Sequence, residues 1–182
     1  MAILPFDSRG VLVADLARGR IDLRGEGRVV ALPAGWLERI SPQLAPDAGH
    51  ALAEALEPSV RGALTDVGGA SPEEIAHALT VAFAMHGLGA VSLESWGDAA
   101  VIVWRDPPST QPGFRVLAEA TMAHLISRIS DVGVSAAVIG HDATHLRLLL
   151  SSRAACDAAR AASNGHGISA ALDALQPAAG PS

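Results

Sequence analysis

The feature that most restricts the possible folds is an order of patterns that occurs twice, a helical pattern followed by two strand patterns. The first copy spans residues 71–104 and the second spans residues 112–150. In each copy, apolar residues recur at helical spacing and then form short runs on either side of a turn. This order predicts an α+β fold, in which an antiparallel sheet of short hairpins packs against several Ala-rich helices.

A capping box marks the start of the helix in the first copy. Ser71 can accept hydrogen bonds from the exposed amides, Pro72 suits the first helical position, and Glu74 can reach back to Ser71. We expect Gly87 to end this helix. Its predicted stripe consists of Ile75, Leu79, Ala82, Phe83 and His86.

The remaining elements follow from shorter signals. Apolar runs at 11–13, 21–23 and 29–32 alternate with Gly and Arg, which predicts two or three short strands. A helix follows Pro33, and a second begins with Asp47 as its cap and is kinked by Pro58. Hairpins are predicted at 90–104 and 134–150, and further helices at 112–129, 154–162 and 168–175. The core stripe expected of the long helix is Phe114, Leu117, Ala118, Thr121, Leu125 and Ile129.

The chain length and pattern predict a single domain over residues 1–176. Within it, residues 1–32 form a strand-rich N-terminal segment and residues 33–155 form the core. Residues 177–182 have no apolar period, and we expect them to be a disordered tail.

Composition excludes several kinds of chemistry. All 13 basic residues are arginine and tyrosine is absent, so no lysine can form a Schiff base and no tyrosine can act as an acid or a ligand. The net charge is -6 and the arginines are scattered, which argues against a nucleic-acid partner.

The single cysteine, Cys156, excludes an internal disulfide and agrees with a reducing compartment. The N-terminus has no basic leader followed by an apolar run, and every apolar stretch is broken before it reaches the length of a membrane-spanning helix. We therefore expect a cytoplasmic protein without a transmembrane segment.

The order of elements from 33 to 155, with the junction His86-Gly87-Leu88-Gly89, resembles the vinyl-reductase-like domain superfamily. That superfamily includes bacterial domains that bind small ligands, heme nitric-oxide sensors and TRAPP vesicle-tethering subunits. The resemblance implies helices and a twisted antiparallel sheet around an apolar pocket, often in a dimer. The heme-binding signature Tyr-x-Ser-x-Arg does not carry over because the chain has no tyrosine, so we expect no cofactor. The early-helix cysteine of TRAPP-like members is also missing.

The candidate ligand pocket lies where the first helix meets its hairpin. His86 stands beside the Gly-Leu-Gly junction, where it can contact a ligand or interact with the carbonyls at the helix end. The two hairpin tryptophans can pair across the strands, or they can line a pocket or a dimer face. The predicted pocket residues are Phe83, Met85, His86, Trp96 and Trp104.

A metal site is the alternative, and it would use the polar turn of the second hairpin. His141, Asp142 and His145 are close in sequence, and histidines four apart share a face when they lie on a helix. The flanking strand pattern places them in a hairpin turn instead, where solvated side chains are the simpler interpretation.

These observations favour a non-enzymatic binding or assembly module, namely a homodimeric scaffold or regulatory adaptor that binds a protein partner. Ala-rich helices with few charges allow close helix-to-helix approach, which suits a homodimer. One alternative is a sensor domain that binds a small apolar ligand in an internal pocket. The other is a metal-dependent enzyme that uses the His141 and His145 turn.

Overall fold

A computed structural model of the protein describes residues 12–15, 20–23, 27–29, 34–43, 47–64, 70–96 and 99–162. The chain divides into two compact units, Met1–Pro33 and Ala34–Ser182. The helix predicted at 168–175 and the tail predicted at 177–182 lie outside the described residues. In the part of the chain that is described, no helix is long and apolar enough to cross a membrane.

The N-terminal unit contains a three-stranded antiparallel sheet. Its strands are β1 (Leu12–Asp15), β2 (Arg20–Leu23) and β3 (Gly27–Val29), paired in sequence order. The prediction of short strands here is confirmed. The third strand begins earlier than the sequence indicates, because Gly27 pairs with Leu23 and does not belong to the turn.

The second unit contains the helices and a four-stranded sheet. Its elements are α1 (Ala34–Ile40), a 3-10 turn (Ser41–Gln43), α2 (Ala48–Ala63), α3 (Pro72–Met85), β4 (Ala90–Trp96), β5 (Ala99–Arg105), α4 (Pro112–Ser130), β6 (Ser135–His141), β7 (His145–Ser151) and α5 (residues 153–162). The sheet order is β4-β5-β7-β6 and every pair is antiparallel. The predicted α+β class is confirmed, and the two hairpins join through β5 and β7.

The sheet has an apolar layer on each face, because side chains alternate along a strand. Ile102 and Leu148 lie in the main core, with buried residues of α2, α3 and α4. Val101 and Leu149 lie on the opposite face, in a second cluster with Cys156 and Ala159 of α5. All six residues of the stripe predicted for α4 are buried, together with Met122 and Ile126.

Helices α2 and α4 approach each other closely at Gly49, where there is no room for a side chain. A Cβ on Gly49 would collide with the side chain of Ala120. Beside it, the rings of His50 and His124 stack at 4.7 Å. Asp47 occupies the predicted cap position of α2, but its side chain makes no capping hydrogen bond, and the helix continues through Pro58.

Both ends of α3 follow the sequence signals. The Ser71 Oγ accepts the Glu74 amide at 3.3 Å, and the Glu74 carboxylate accepts the Ser71 amide at 2.7 Å, so the capping box is confirmed. The helix ends at Met85, and Gly87 follows with φ +69°. Gly89 has φ +93°, and a Cβ there would collide with the carbonyl oxygens of residues 105 and 106.

Helix side chains bind backbone groups at or next to both edge strands of the sheet. The Ser127 Oγ accepts the Val134 amide at 2.9 Å and donates to the Val134 carbonyl at 3.2 Å beside β6. On the other edge, the Thr80 hydroxyl donates to the Val91 carbonyl of β4. These contacts connect α4 and α3 to the chain at the two edge strands.

Candidate ligand site

An aromatic cluster lies in the main core where α3, β5 and α4 meet. Trp104 is fully buried and contacts Phe83 and Phe114 edge to face, with ring centroids 4.9 Å and 5.6 Å apart. Each ring comes from a different element, so the cluster depends on helix and sheet packing. Edge-to-face packing of this kind stabilises aromatic groups beyond their apolar burial.

The loop after α3 supplies a polar partner to this cluster. The Trp104 indole Nε1 donates to the Leu88 carbonyl oxygen at 2.6 Å. The Leu88 amide in turn donates to the Phe83 carbonyl at 2.8 Å, which holds the loop against the helix end. Gly87 and Gly89 flank Leu88 with positive φ, so they permit the backbone path that aims this carbonyl at the indole.

His86 lies at the same end of α3 and is half-buried. Its Nε2 is 3.1 Å from the Ser59 Oγ on α2. The His86 side chain therefore binds a residue of a neighbouring helix. From the sequence we expected it to contact either the carbonyls at the end of its own helix or a ligand. His86 is close in sequence to Phe83 and Leu88, and its contact with Ser59 is a second polar contact in this part of the chain.

The structure places the other predicted pocket residues less centrally. Met85 is half-buried at the last position of α3. The strand register pairs Trp96 with Ala99 and Trp104 with Val91, so the two tryptophans occupy opposite ends of the hairpin and do not pair across it. The side chain of Trp96 lies outside the described part of the chain. The structure thus brings together Phe83 and Trp104 from the predicted set.

Phe114 and Ser59 are members of this region that the sequence did not assign to it. Phe114 carried a core signal from its helical spacing, but nothing in the sequence linked it to Trp104. Ser59 lies 27 residues before His86 and carried no signal at all. Both assignments depend on how α2 and α4 pack against the rest of the unit.

The polar turn of the second hairpin lies where the sequence placed it, with His141 ending β6 and His145 beginning β7. Asp142 Oδ1 accepts the Thr144 amide at 2.8 Å and lies 3.1 Å from the His145 Nδ1. The Thr144 amide and then His145 lower the pKa of Asp142 to about 2. No group of three metal-binding side chains is found in the described residues, which include this whole turn.

Cys156 is buried on the opposite face of the sheet from the aromatic cluster. Burial raises the pKa of its thiol, which disfavours the thiolate that a nucleophile needs.

Two surface clefts are also present in the described part of the second unit. A cleft of about 420 Å³ lies between α4, β6 and α5 and includes Glu119, Cys156 and Arg160. A cleft of about 510 Å³ lies near the ends of α2 and α4 and includes Arg61, His124 and Arg128. Glu57 binds both arginines there, and its pKa is lowered first by the hydrogen bond from Arg61. Neither cleft includes the aromatic cluster.

No protein-family model and no curated protein matches the sequence. Among solved structures, the chain is similar to the crystal structure of the phenol-responsive sensory domain of the transcription activator PoxR with phenol. The two share 14% sequence identity with a TM-score of 0.56, and the match covers 96% of this chain and 100% of that chain. At this identity the likeness concerns the fold alone. The chain therefore shares the fold of that domain.

Proposed function

We propose that this chain is a non-enzymatic sensory domain that binds a small apolar molecule inside its second unit. The observation that carries the proposal is the aromatic cluster of Phe83, Trp104 and Phe114 in a chain with the fold of a phenol-responsive sensory domain. The sensory alternative is better supported than a scaffold, because the similar structure belongs to a ligand-responsive domain.

The chemistry of the cluster suits a flat apolar ligand. Ligand sites combine an apolar and aromatic lining with a few placed polar groups. Here the Leu88 carbonyl, which accepts the Trp104 indole, borders the cluster, and His86, which pairs with Ser59, is close in sequence to Phe83 and Leu88. The Trp104 ring contacts both phenylalanine rings, so a ligand must separate these contacts to bind. The flanking Gly87 and Gly89 give the adjoining loop the backbone freedom to adjust.

The finer assignments belong to the same proposal. We propose that the chain is a member of the vinyl-reductase-like superfamily, that it acts in the cytoplasm and that it works as a homodimer. Supporting the first of these, the Gly-Leu-Gly junction of the resemblance is the loop that holds the Trp104 indole. Supporting a homodimer, the helices are rich in alanine and the chain has few charged residues, which allows close helix-to-helix approach.

The proposal is tested by thermal unfolding of the purified chain with phenol, toluene and cyclohexanol. We expect saturable stabilisation by at least one compound, because a ligand at 100 times its Kd stabilises the folded state by about 2.7 kcal/mol. The variant Phe83→Leu should weaken this effect, and Trp36→Phe, at a 45% exposed position on α1, should not. The scaffold hypothesis would be favoured instead if none of the three compounds stabilised the chain and native mass spectrometry showed an oligomer without a bound small molecule.

A further inference from the structure

Helix α5 is held on the sheet by little apolar burial. Within residues 153–162, all of which the structure describes, the buried side chains are Cys156 and Ala159, and both are small. By comparison, α4 buries eight residues. Segments with few buried apolar contacts open locally at a lower free energy than the global fold. Helix α5 is therefore less firmly anchored than α4.

An ion pair between Arg160 and Glu119 connects α5 to α4. The Arg160 Nη2 donates to the Glu119 Oε2 at 3.0 Å and to the Ala136 carbonyl at 3.4 Å. The other oxygen of Glu119 accepts the Val138 amide at 2.7 Å. Arg160 Nη1 binds Asp157 within α5 itself at 2.8 Å. The Glu119 carboxylate thus joins α4, the edge strand β6 and α5 at a single point.

The same helix α4 also carries part of the aromatic cluster. Phe114 and Glu119 are five positions apart, which is about 7.5 Å along a helix axis. Leu117 and Ala118 lie between them and are buried in the main core. A movement of α4 that separates Phe114 from Trp104 therefore also moves the carboxylate that holds Arg160.

We propose that the Glu119 and Arg160 ion pair is a latch that keeps α5 docked on the sheet, and that a ligand in the aromatic cluster opens it by shifting α4. The second half of this statement rests on the proposed function. Opening uncovers an apolar strip of the sheet and the thiol of Cys156. The strip consists of Val101, Ala137, Ile139 and Leu149.

The latch is tested through Cys156, because it is the single cysteine of the chain. Its reaction with dithionitrobenzoate measures how often α5 leaves the sheet. In Arg160→Gln and Glu119→Gln the reaction should be about three- to tenfold faster, since a partly exposed ion pair with a charge-assisted hydrogen bond contributes on this scale. The control Asp157→Asn removes the ion pairs of Asp157 with Arg160 and Arg153, both within α5, and its rate should stay within about twofold of the wild type.

Two results would overturn the latch. One is an equal labelling rate in the wild type and both latch variants. The other is a labelling rate that depends only on the global free energy of unfolding, measured by urea unfolding. The core variant Leu79→Ala would then be labelled as fast as Arg160→Gln when the two variants are compared at the same free energy of unfolding. In that case Cys156 reacts through global unfolding and the ion pair has no local role.

The coupling to the cluster is tested with phenol, or with the panel compound that stabilises the chain more. At saturation it should accelerate Cys156 labelling in the wild type and add nothing in Arg160→Gln. Stabilisation without faster labelling overturns the coupling and leaves the sensory function intact. If no compound stabilises the chain, the sensory function and the coupling both fail, and the latch is judged on the variants alone.

Discussion

The contact between the Trp104 indole and the Leu88 carbonyl allows a direct test of the aromatic cluster. In Trp104→Phe the ring that packs against Phe83 and Phe114 is retained in part, whereas the Nε1 donor is lost. Trp104 is fully buried and Leu88 is 7% exposed, so water has little access to the carbonyl that loses this donor.

The expected loss of stability has two contributions. A buried carbonyl left without its donor costs about 1–3 kcal/mol. The smaller ring leaves a cavity in a close-packed core, which adds about 1 kcal/mol. We therefore expect Trp104→Phe to lower the free energy of unfolding by about 2–4 kcal/mol.

Urea unfolding followed by circular dichroism measures this difference. Trp36→Phe is the matched control, because the same substitution at a 45% exposed position should change stability by less than about 0.5 kcal/mol. A loss below about 1 kcal/mol in Trp104→Phe would refute the assignment of the hydrogen bond and of the packed cluster. The m-value should be unchanged, since a change would point to the unfolded state.

Three further predictions concern single positions. Gly89→Ala should lower the free energy of unfolding by about 2–4 kcal/mol, because its φ is +93° and a Cβ would strike backbone oxygens; a smaller loss in urea unfolding would contradict this loop geometry. Gly49→Ala should lower the free energy of unfolding by about 1–3 kcal/mol, because it overpacks α2 on α4. Gly62→Ala lies in open space on the same helix and should raise the free energy of unfolding by about 0.5–1 kcal/mol. Equal shifts of the melting temperature in the two variants would rule out the close approach of α2 and α4. Asp142 should titrate near pH 2 by NMR, so its contribution to stability is complete above about pH 4 and is lost as the pH falls towards 2. In Thr144→Val the pKa of Asp142 should remain well below its usual value, because the hydrogen bond from the backbone amide of residue 144 is the largest cause of the lowering.

The sequence determined the features that depend on neighbouring residues. The capping box at Ser71, the end of α3 before Gly87 and the buried stripe of α4 all appear as expected. These signals work because a helix start, a positive φ and a helical period each involve residues within a few positions of one another. The same local logic failed at Asp47, which has the position of a cap but not its hydrogen bond.

The tertiary structure decided how these elements combine. Two hairpins are predictable from the sequence, but only packing set the order β4-β5-β7-β6 that joins them through β5 and β7. It also brought Phe114 to Trp104 and Arg160 to Glu119, a pair separated by 41 residues. Such contacts depend on the relative placement of whole helices and strands, and no period or spacing along the chain encodes that placement. For this reason the sequence could place Phe83 and Trp104 in one predicted pocket, but it could not link Phe114 to them.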